Sequence, residues 1–279
     1  MSFGKTENEW HHTIGVAAGK IDAGMQPVNK KENKMSKIYV TGIGPGLYEH
    51  MTEAAKASLA DADIIIGYKT YIDIIADLIG DKEVLSSGMR REIDRCEKAL
   101  ELAEQGKNIC LVSSGDAGVF GMAGIMLEVV ESKHSAVAVE IIPGISAANA
   151  AAATLGAPLM HDYAVISLSD LLTDWAVIEK RLHCAGDGDF VISLYNPKSN
   201  GRPHNIEKAQ EILLKYKAPE TPVGIVRNAK RQDESYVITT LKKMNEADID
   251  MFSMVIIGNS KTYVTRDQLK MITPRGYQL

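Results

Sequence analysis

The chain has 279 residues, 45% of them hydrophobic, and a formal net charge of -5 at pH 7. This length fits one large or two ordinary domains. The negative charge excludes a protein that holds nucleic acid on a broad basic surface. Three scattered cysteines without a Cys-x-x-Cys pair favour free thiols in a reducing compartment. With no secretory signal and no apolar run long enough for a membrane span, we expect a cytoplasmic protein without membrane or nucleic-acid partners.

Residues 1–34 are expected to form an N-terminal extension that is disordered or loosely docked. Glycines recur through this segment, and residues 30–34 form a run of charge, KKENK. His11 and His12 lie within it, but no third ligand at useful spacing completes a metal site, so we predict none. The first domain is therefore expected to begin at Met35.

From residue 37 onward, β-branched apolar runs alternate with amphipathic segments. In the first half, the pattern predicts strands over residues 37–41, 62–67, 108–113 and 137–142, and helices over 51–60, 71–79, 90–105, 121–131 and 146–155. In the second half it predicts strands over 163–167, 189–194, 222–226, 235–239 and 254–257, and helices over 173–185 and 203–216. Such alternation indicates an α/β fold of two domains, residues 35–158 and 159–279, with the boundary near Pro158.

Three turns rich in glycine or small residues follow apolar strands, at residues 38–46, 112–121 and 142–162. Glycines at such turns bring bare backbone N–H groups close to a ligand. The first turn departs from a dinucleotide fingerprint, because Pro45 and Gly46 follow Gly44 and no acidic residue ends the next strand. No Gly-Lys-Ser/Thr follows it either. Taken alone, this turn is better explained as a tight strand-to-helix connection.

The other two turns carry polar side chains at the start of helices. Asp116 follows the carboxyl end of a buried strand, where open α/β sheets bind ligands. Its carboxylate could accept hydrogen bonds from a ribose or an amine, lie near a sulfonium, or cap the next helix. Ser146 is a natural N-cap of an alanine-rich helix whose small side chains allow close approach of another helix or a ligand.

Together the three turns resemble the tetrapyrrole methylase family, the class III S-adenosylmethionine-dependent methyltransferases, from Met35 to about Tyr263. The resemblance implies two α/β domains with a cleft between them for the methyl donor, S-adenosyl-L-methionine as cofactor, and a homodimer. It implies that the following residues bind the methyl donor: Gly44, Pro45, Gly46, Gly115, Asp116, Val119, Phe120, Gly121, Ser146, Ala147, Tyr195, Asn196, Asn228, Ala229, Met254 and Val255.

Residues 67–71, 86–95 and 194–199 resemble the branch of this family that methylates C17 of precorrin-3B or cobalt-precorrin-3, with ring contraction, in cobalamin biosynthesis. Residues 47–52 replace the Gly-Asp-Pro found in many members, a departure that this branch tolerates. The implied small-molecule substrate is a tetrapyrrole with many carboxylates, for which arginine forks and lysines are suitable partners. The candidate substrate-binding residues are Lys69, Met89, Arg90, Arg91, Arg95, Lys198 and Arg202.

Methyl transfer to an electron-rich ring carbon mainly needs alignment and exclusion of water, so no nucleophilic side chain is required. Ring contraction could use a general acid or base. We predict that Asp116 orients the methyl donor and that His50 or Asp162 assists proton movement.

Three alternatives remain open at this stage. The acceptor could be another tetrapyrrole position, uroporphyrinogen III, or a protein or RNA. The chain could instead be a nucleotide-binding regulatory module without catalysis, which the three turns and Asp116 disfavour. A dinucleotide oxidoreductase is the weakest alternative, since the second strand lacks its acidic residue.

Overall fold

A computed structural model of the chain describes residues 11–13, 36–88, 91–199 and 201–278. The chain divides into two compact units, Met1–Ser146 and Ala147–Leu279, here called unit 1 and unit 2. Among the described residues, no helix combines the length and apolar character needed to cross a membrane.

Unit 1 is an α/β unit built on one sheet. Its elements are β1 His11–Thr13, β2 Lys37–Gly42, a 3₁₀ helix Tyr48–His50, α1 Glu53–Asp61, β3 Ile64–Tyr68, α2 Lys69–Ile74, α3 Ala76–Ile79, β4 Glu83–Ser87, α4 Glu92–Glu104, β5 Ile109–Ser113, α5 Ala123–Ser132 and β6 Ala138–Ile142. The strand order is β1-β4-β3-β5-β2-β6. Strands β2 to β6 are parallel, and β1 pairs antiparallel with the edge strand β4.

Successive strand residues point to opposite faces of this parallel sheet, and helices cover both faces of its central strands. Val40 and Leu111 pack with α4 and α5 on one face. Ile65 and Val112 pack with α1, α2 and α3 on the other. The hydroxyl of Thr52 accepts the Ala55 N–H at 3.1 Å and so caps the first turn of α1.

Two sequence predictions in unit 1 differ from the structure. No strand was predicted over Glu83–Ser87, whose residues are half polar, yet β4 pairs along β3. The single helix predicted over 71–79 is two short helices, α2 and α3. They separate at Ile75, whose φ of -107° and ψ of 13° leave the helical region. Of the predicted N-terminal extension, only His11–Thr13 lies within the described residues, where it forms β1.

Unit 2 contains a mixed sheet of five strands and a smaller sheet of three. Its elements are α6 Ala147–Leu155, β7 Gly156–Ala157, β8 Tyr163–Ser167, α7 Trp175–Asp187, β9 Val191–Tyr195, α8 Asn205–Leu213, β10 Pro222–Arg227, β11 Ser235–Thr240, a 3₁₀ helix Leu241–Glu246, β12 Ser253–Ile257, β13 Tyr263–Val264 and β14 Met271–Ile272. The larger sheet has the order β11-β10-β12-β9-β8, in which β8 and β9 alone run parallel, and the smaller has the order β13-β14-β7.

The division between the units comes at the start of α6, earlier than the boundary predicted near Pro158. Ala148, Ala151 and Leu155 of α6 pack against Val226 and Ile256 of the five-stranded sheet. Alanine side chains let the helix backbone lie close to this sheet, so α6 shares the core of unit 2. The proline marked a turn within unit 2 and did not mark the end of unit 1.

The burial of the cysteines leads to a test of the fold by thiol chemistry. Burial raises the pKa of the Cys96 thiol to about 12 and that of Cys110 to about 11, whereas Cys184 is exposed. Because the thiolate is the reactive form, we expect Cys184 alone to react rapidly with a disulfide reagent at mildly alkaline pH. All three cysteines should react after denaturation. The control is Cys184→Ser, whose native form should show no rapid reaction; a fast-reacting thiol in that variant would contradict the fold.

Candidate functional site

The three turns singled out in the sequence lie side by side at one edge of unit 1. Strands β5, β2 and β6 are neighbours in that order and run parallel. Their carboxyl ends therefore meet at the same sheet edge, where open α/β sheets bind ligands. We call residues 43–47, 114–122 and 143–146 the β2, β5 and β6 loops.

These loops contact one another through their backbones. Gly44 and Gly115 exchange N–H to carbonyl hydrogen bonds, both of 2.9 Å, and both have positive φ, 61° and 70°. A Cβ added to Gly42 would lie 2.8 Å from the Gly115 carbonyl oxygen and 2.9 Å from the Gly144 nitrogen. No side chain fits between such closely spaced backbones. The glycines thus have a structural role in joining the loops, and the buried Pro45 and Gly46 extend the β2 loop.

Asp116 joins the β5 loop to the β6 loop. Its Oδ1 accepts the Gly118 N–H at 2.8 Å, and its Oδ2 accepts the Gly144 N–H at 3.0 Å. The alternative of a helix cap is not realised, because α5 begins at Ala123 and no side chain caps it. Hydrogen bonds to a carboxylate are stronger than neutral ones, so this one side chain holds two loops in register.

The β5 loop also presents apolar side chains to solvent. Val119 and Phe120 are 37% and 58% exposed, and Phe120 adopts a positive φ of 52° that side chains rarely occupy. A Cβ on Gly121 would lie 2.6 Å from the Ser113 hydroxyl, so the loop returns tightly toward β5. The β5 loop therefore offers an exposed apolar surface next to polar backbone groups. In the β6 loop, the half-buried Ser146 is the last residue of unit 1.

His50 lies beside the β2 loop. It ends the 3₁₀ helix Tyr48–His50 and is half-buried, and its carbonyl oxygen is 3.0 Å from the position that a Cβ on Gly44 would take. The Thr52 hydroxyl, at the start of α1, also donates a hydrogen bond of 3.4 Å to the carbonyl of Pro143 in the β6 loop. The structure thus brings His50 to the loops that carry Asp116.

The cationic candidates of unit 1 follow the neighbouring strands β3 and β4 at the same edge. Lys69 is exposed and pairs with Asp73 at 3.0 Å, and Arg91 pairs with Asp94 at 2.9 Å while remaining partly accessible. Met89 and Arg90 lie outside the described residues. Lys69 and Arg91 are therefore the cations of this group that the structure leaves accessible to a ligand.

Arg95 has a different environment from the one predicted. Its side chain is buried and donates to the Ser87 hydroxyl at 3.0 Å, the Gly88 carbonyl at 2.9 Å and the Glu92 carboxylate at 3.2 Å. Arginine in such a setting fixes the chain that follows β4. These contacts do not favour the predicted binding of substrate by Arg95.

In unit 2, Tyr195 and Asn196 end the parallel pair β8 and β9. The Tyr195 hydroxyl accepts the Ala148 N–H at 3.1 Å, which satisfies one backbone N–H at the start of α6, next to Ala147. The Asn196 amide donates to the Ser167 hydroxyl at 2.9 Å. Ser167 was missed in the sequence, which carries no signal for a contact between the ends of two strands.

The remaining unit 2 candidates divide between the two faces of the sheet. Tyr195, Ala229 and Met254 lie on the face that packs with α6, near Asn228, whose positive φ of 51° turns the chain after β10. Val255 points to the opposite core and is fully buried. Its backbone pairs with strands on both sides, so the structure does not favour the predicted contact between Val255 and a ligand.

Asp162 lies at the other end of the same sheet. It precedes β8, whereas Tyr195 and Asn196 follow the parallel strand β9. A strand of five residues separates these ends by roughly 16 Å at 3.3 Å per residue. The Asp162 side chain is 82% exposed and neighbours His161. The structure therefore does not bring Asp162 to the unit 2 candidates, and its predicted role in proton movement loses support.

Lys198 and Arg202 lie in the turn after β9, where Ser199 and Arg202 pair through their backbones. Among the described residues, no group of three or more His, Cys, Asp or Glu side chains is arranged to hold a metal ion.

Comparison with known proteins identifies the family. A family profile described as Tetrapyrrole (Corrin/Porphyrin) Methylases matches residues 37–245. The chain belongs to the tetrapyrrole methylase family. The methylase is 52% identical over 242 residues to a Salmonella typhimurium protein named probable cobalt-factor III C(17)-methyltransferase, covering 87% of this chain and 100% of that one. It is 49% identical over 246 residues to the cobalt-factor III methyltransferase of Priestia megaterium, covering 87% of this chain but only 45% of that longer relative.

The fold agrees with this membership. The methylase matches the crystal structure of the methyltransferase CobJ with a TM-score of 0.80 and 36% identity, over 86% of this chain and 100% of that one. The cobalt precorrin-4 methyltransferase CbiF, at 24% identity over 84% of this chain and 98% of that one, shares the fold with a TM-score of 0.68. The predicted family and its α/β fold are confirmed.

The contact between the loops predicts a large effect of a small substitution at Gly144. An added Cβ would overlap the backbone carbonyl oxygens of Gly115 and Gly42. We expect Gly144→Ala to lower the free energy of unfolding by about 1–3 kcal/mol, as overpacking does in well-packed cores. Urea denaturation measures this change.

The matched control is Gly124→Ala in α5, where nothing lies within 4 Å of an added Cβ. Alanine favours the helix over glycine by up to about 1 kcal/mol, so this variant should be neutral or stabilised. Equal urea midpoints for the two variants would show that the loops are not in backbone contact.

Proposed function

We propose that this methylase transfers a methyl group from S-adenosyl-L-methionine to C17 of a tetrapyrrole in cobalamin biosynthesis, with associated contraction of the ring. The acceptor is cobalt-factor III or the chemically related cobalt-precorrin-3 or precorrin-3B. The observation that carries the proposal is the meeting of the β2, β5 and β6 loops at one sheet edge, held together by Gly44, Gly115 and Asp116. The names of the Salmonella and Priestia relatives support a cobalt-containing acceptor.

The residues of the loops fit the proposed methyl donor. When bound, S-adenosyl-L-methionine supplies an electrophilic methyl group on a sulfonium. The exposed Val119 and Phe120 suit an adenine ring, while the neighbouring backbone groups of the β2 and β5 loops suit the polar ribose and amino acid. Ser146 is a further polar contact in this proposal.

Unit 2 is proposed to contribute Tyr195, Asn196, Asn228, Ala229 and Met254 to donor binding. Tyr195, Ala229 and Met254 share one face of the sheet with α6. The positive φ of Asn196 and Asn228 turns the chain immediately after β9 and β10.

Asp116 is proposed to position the methyl donor and not to transfer a proton. Both of its oxygens accept backbone N–H groups, so it acts by holding the loops in place. His50 is the proposed proton-transfer group for ring contraction, because it lies beside the β2 loop and histidine is the side chain that most often serves as a general acid or base. Lys69 and Arg91 in unit 1 and Lys198 and Arg202 in unit 2 are proposed to bind substrate carboxylates.

We also propose that the methylase is a cytoplasmic homodimer. This extension comes from the family resemblance seen in the sequence. Sedimentation of the purified protein would test the dimer, since a monomeric mass at micromolar concentration contradicts it.

The reaction can be tested directly by anaerobic incubation of the full chain with methyl-labelled S-adenosyl-L-methionine and cobalt-factor III, followed by mass analysis. The expected product carries one added labelled methyl group at C17 of a contracted ring. Parallel incubations with precorrin-3B and uroporphyrinogen III serve as acceptor controls. Label in uroporphyrinogen III alone would overturn the assignment of the acceptor, and absence of label in every tetrapyrrole would overturn the reaction.

Substitution of Asp116 tests its positioning role. Asp116→Asn keeps one acceptor oxygen but turns an amide N–H₂ toward a backbone N–H, so one loop contact is lost. Loss of a hydrogen bond to a charged group is worth about 1.5–3 kcal/mol, and we expect the KM for S-adenosyl-L-methionine to rise by about tenfold to hundredfold. The pH dependence of kcat should not change. A kcat that falls while this KM is unchanged would favour a role in proton transfer instead.

A further inference from the structure

The loop that follows β8 contains Leu172, the most exposed large apolar residue among the described residues. We propose that this loop, residues 168–174, is a binding element for the tetrapyrrole, in which Leu171 and Leu172 contact the ring and Arg202 and Lys198 receive its carboxylates. This assignment rests on the proposed function, and we call the segment the β8 loop.

Leu171 and Leu172 are 54% and 94% exposed. Scattered exposed apolar residues are ordinary, but two adjacent leucines that both point into water form an apolar surface. Burying a leucine side chain on a ligand is favourable, since it removes apolar surface from water. The β8 loop is therefore suited to bind an apolar surface.

The β8 loop is anchored beside the proposed donor-binding residues of unit 2. The Leu168 N–H donates to the Tyr195 carbonyl at 2.9 Å, and the Asn196 amide donates to the Ser167 hydroxyl at 2.9 Å. The Asn205 amide also donates to the Leu168 carbonyl at 2.9 Å. These bonds place the start of the β8 loop at the carboxyl end of the parallel pair β8 and β9, next to Tyr195.

The turn after β9 carries two cations, of which Arg202 lies beside the β8 loop. The Arg202 Nε is 3.9 Å from the Asp170 carboxylate, too far for a hydrogen bond, and this buried nitrogen has no hydrogen-bond partner. A buried N–H without a partner is unfavourable until an acceptor reaches it. Lys198 is half-buried and forms no ion pair with the described residues. Arg202 therefore has unused hydrogen-bonding capacity beside Asp170, the residue that directly precedes Leu171.

The exposed leucines together with the cations fit a tetrapyrrole better than a second copy of the chain. A tetrapyrrole has a flat apolar ring with acetate and propionate groups at its rim, so it can contact the leucines and the cations at once. A second copy of the chain could also cover the leucines, and the mass measured by sedimentation distinguishes that occupant. A ligand that joins a flat apolar surface to carboxylates is complementary to the leucines and to the cations together, which favours the tetrapyrrole as the occupant.

The test compares Leu172→Ser with Leu269→Ser, a control at a leucine of unit 2 that is 53% exposed in the β13–β14 turn. With cobalt-factor III as acceptor, Leu172→Ser should raise the KM for the tetrapyrrole by about tenfold, the equivalent of burying most of one leucine. Leu269→Ser should leave this KM unchanged, and both variants should keep the wild-type KM for S-adenosyl-L-methionine. Arg202→Lys keeps the charge but loses the planar fork, and it should also raise the KM for the tetrapyrrole.

A binding measurement separates this assignment from the proposed reaction. Trp175 begins α7 directly after the β8 loop, and in a Trp10→Phe background it is the remaining tryptophan, so its quenching by cobalt-factor III gives a Kd without turnover. A Kd weakened by Leu172→Ser but not by Leu269→Ser supports the β8 loop even if no methyl group is transferred, in which case the proposed function alone fails. If the wild type methylates its tetrapyrrole and Leu172→Ser changes neither Kd nor KM, the assignment is wrong. A sedimentation mass altered by Leu172→Ser with an unchanged Kd would assign the leucines to a contact between copies and overturn it as well.

Discussion

Direct contact between the backbones of three loops is the constraint on which unit 1 depends. Gly42 and Gly144 leave no space for a side chain where the β2, β5 and β6 loops meet, because the carbonyl oxygen of Gly115 lies against both. Such contact is possible only because β5, β2 and β6 are adjacent and parallel, so that segments distant in sequence end at one edge. Asp116 then links two of these loops with charge-assisted hydrogen bonds. Sheet order, glycine placement and the single carboxylate together form the candidate site.

The sequence predicted elements with strong local patterns and missed those defined by distant partners. The buried strands β2 and β5 were predicted from their apolar runs, whereas β4 was missed because Glu83–Ser87 lacks such a run. Strand β4 exists because β3 offers it a row of backbone partners. Likewise, the alanines of α6 indicated close packing but not which unit they pack with. Local propensity is set by neighbouring residues, while strand pairing and helix docking depend on the whole sheet.

In the candidate site, the sequence likewise predicted the types of the functional residues but not the contacts that surround them. Asp116 was predicted from its position after a strand, but its partner Gly144 lies in the β6 loop, which no sequence spacing connects to the β5 loop. Arg95 and Arg202 look alike in the sequence. One is buried with three hydrogen-bond partners, and the other has a buried Nε without any. Charge is visible in a sequence, but its neutralisation depends on contacts that only the fold creates.

Strand β1 has a consequence for how unit 1 meets other chains. His11–Thr13 pairs with Val84, Leu85 and Ser86, so the backbone of β4 is not left open along this stretch. Uncovered edge strands are templates for pairing with another chain, and proteins commonly shield them. A shortened protein that began at Met35 would expose these backbone groups of β4. By covering β4, strand β1 disfavours aggregation through strand pairing, and this role is separate from binding and catalysis.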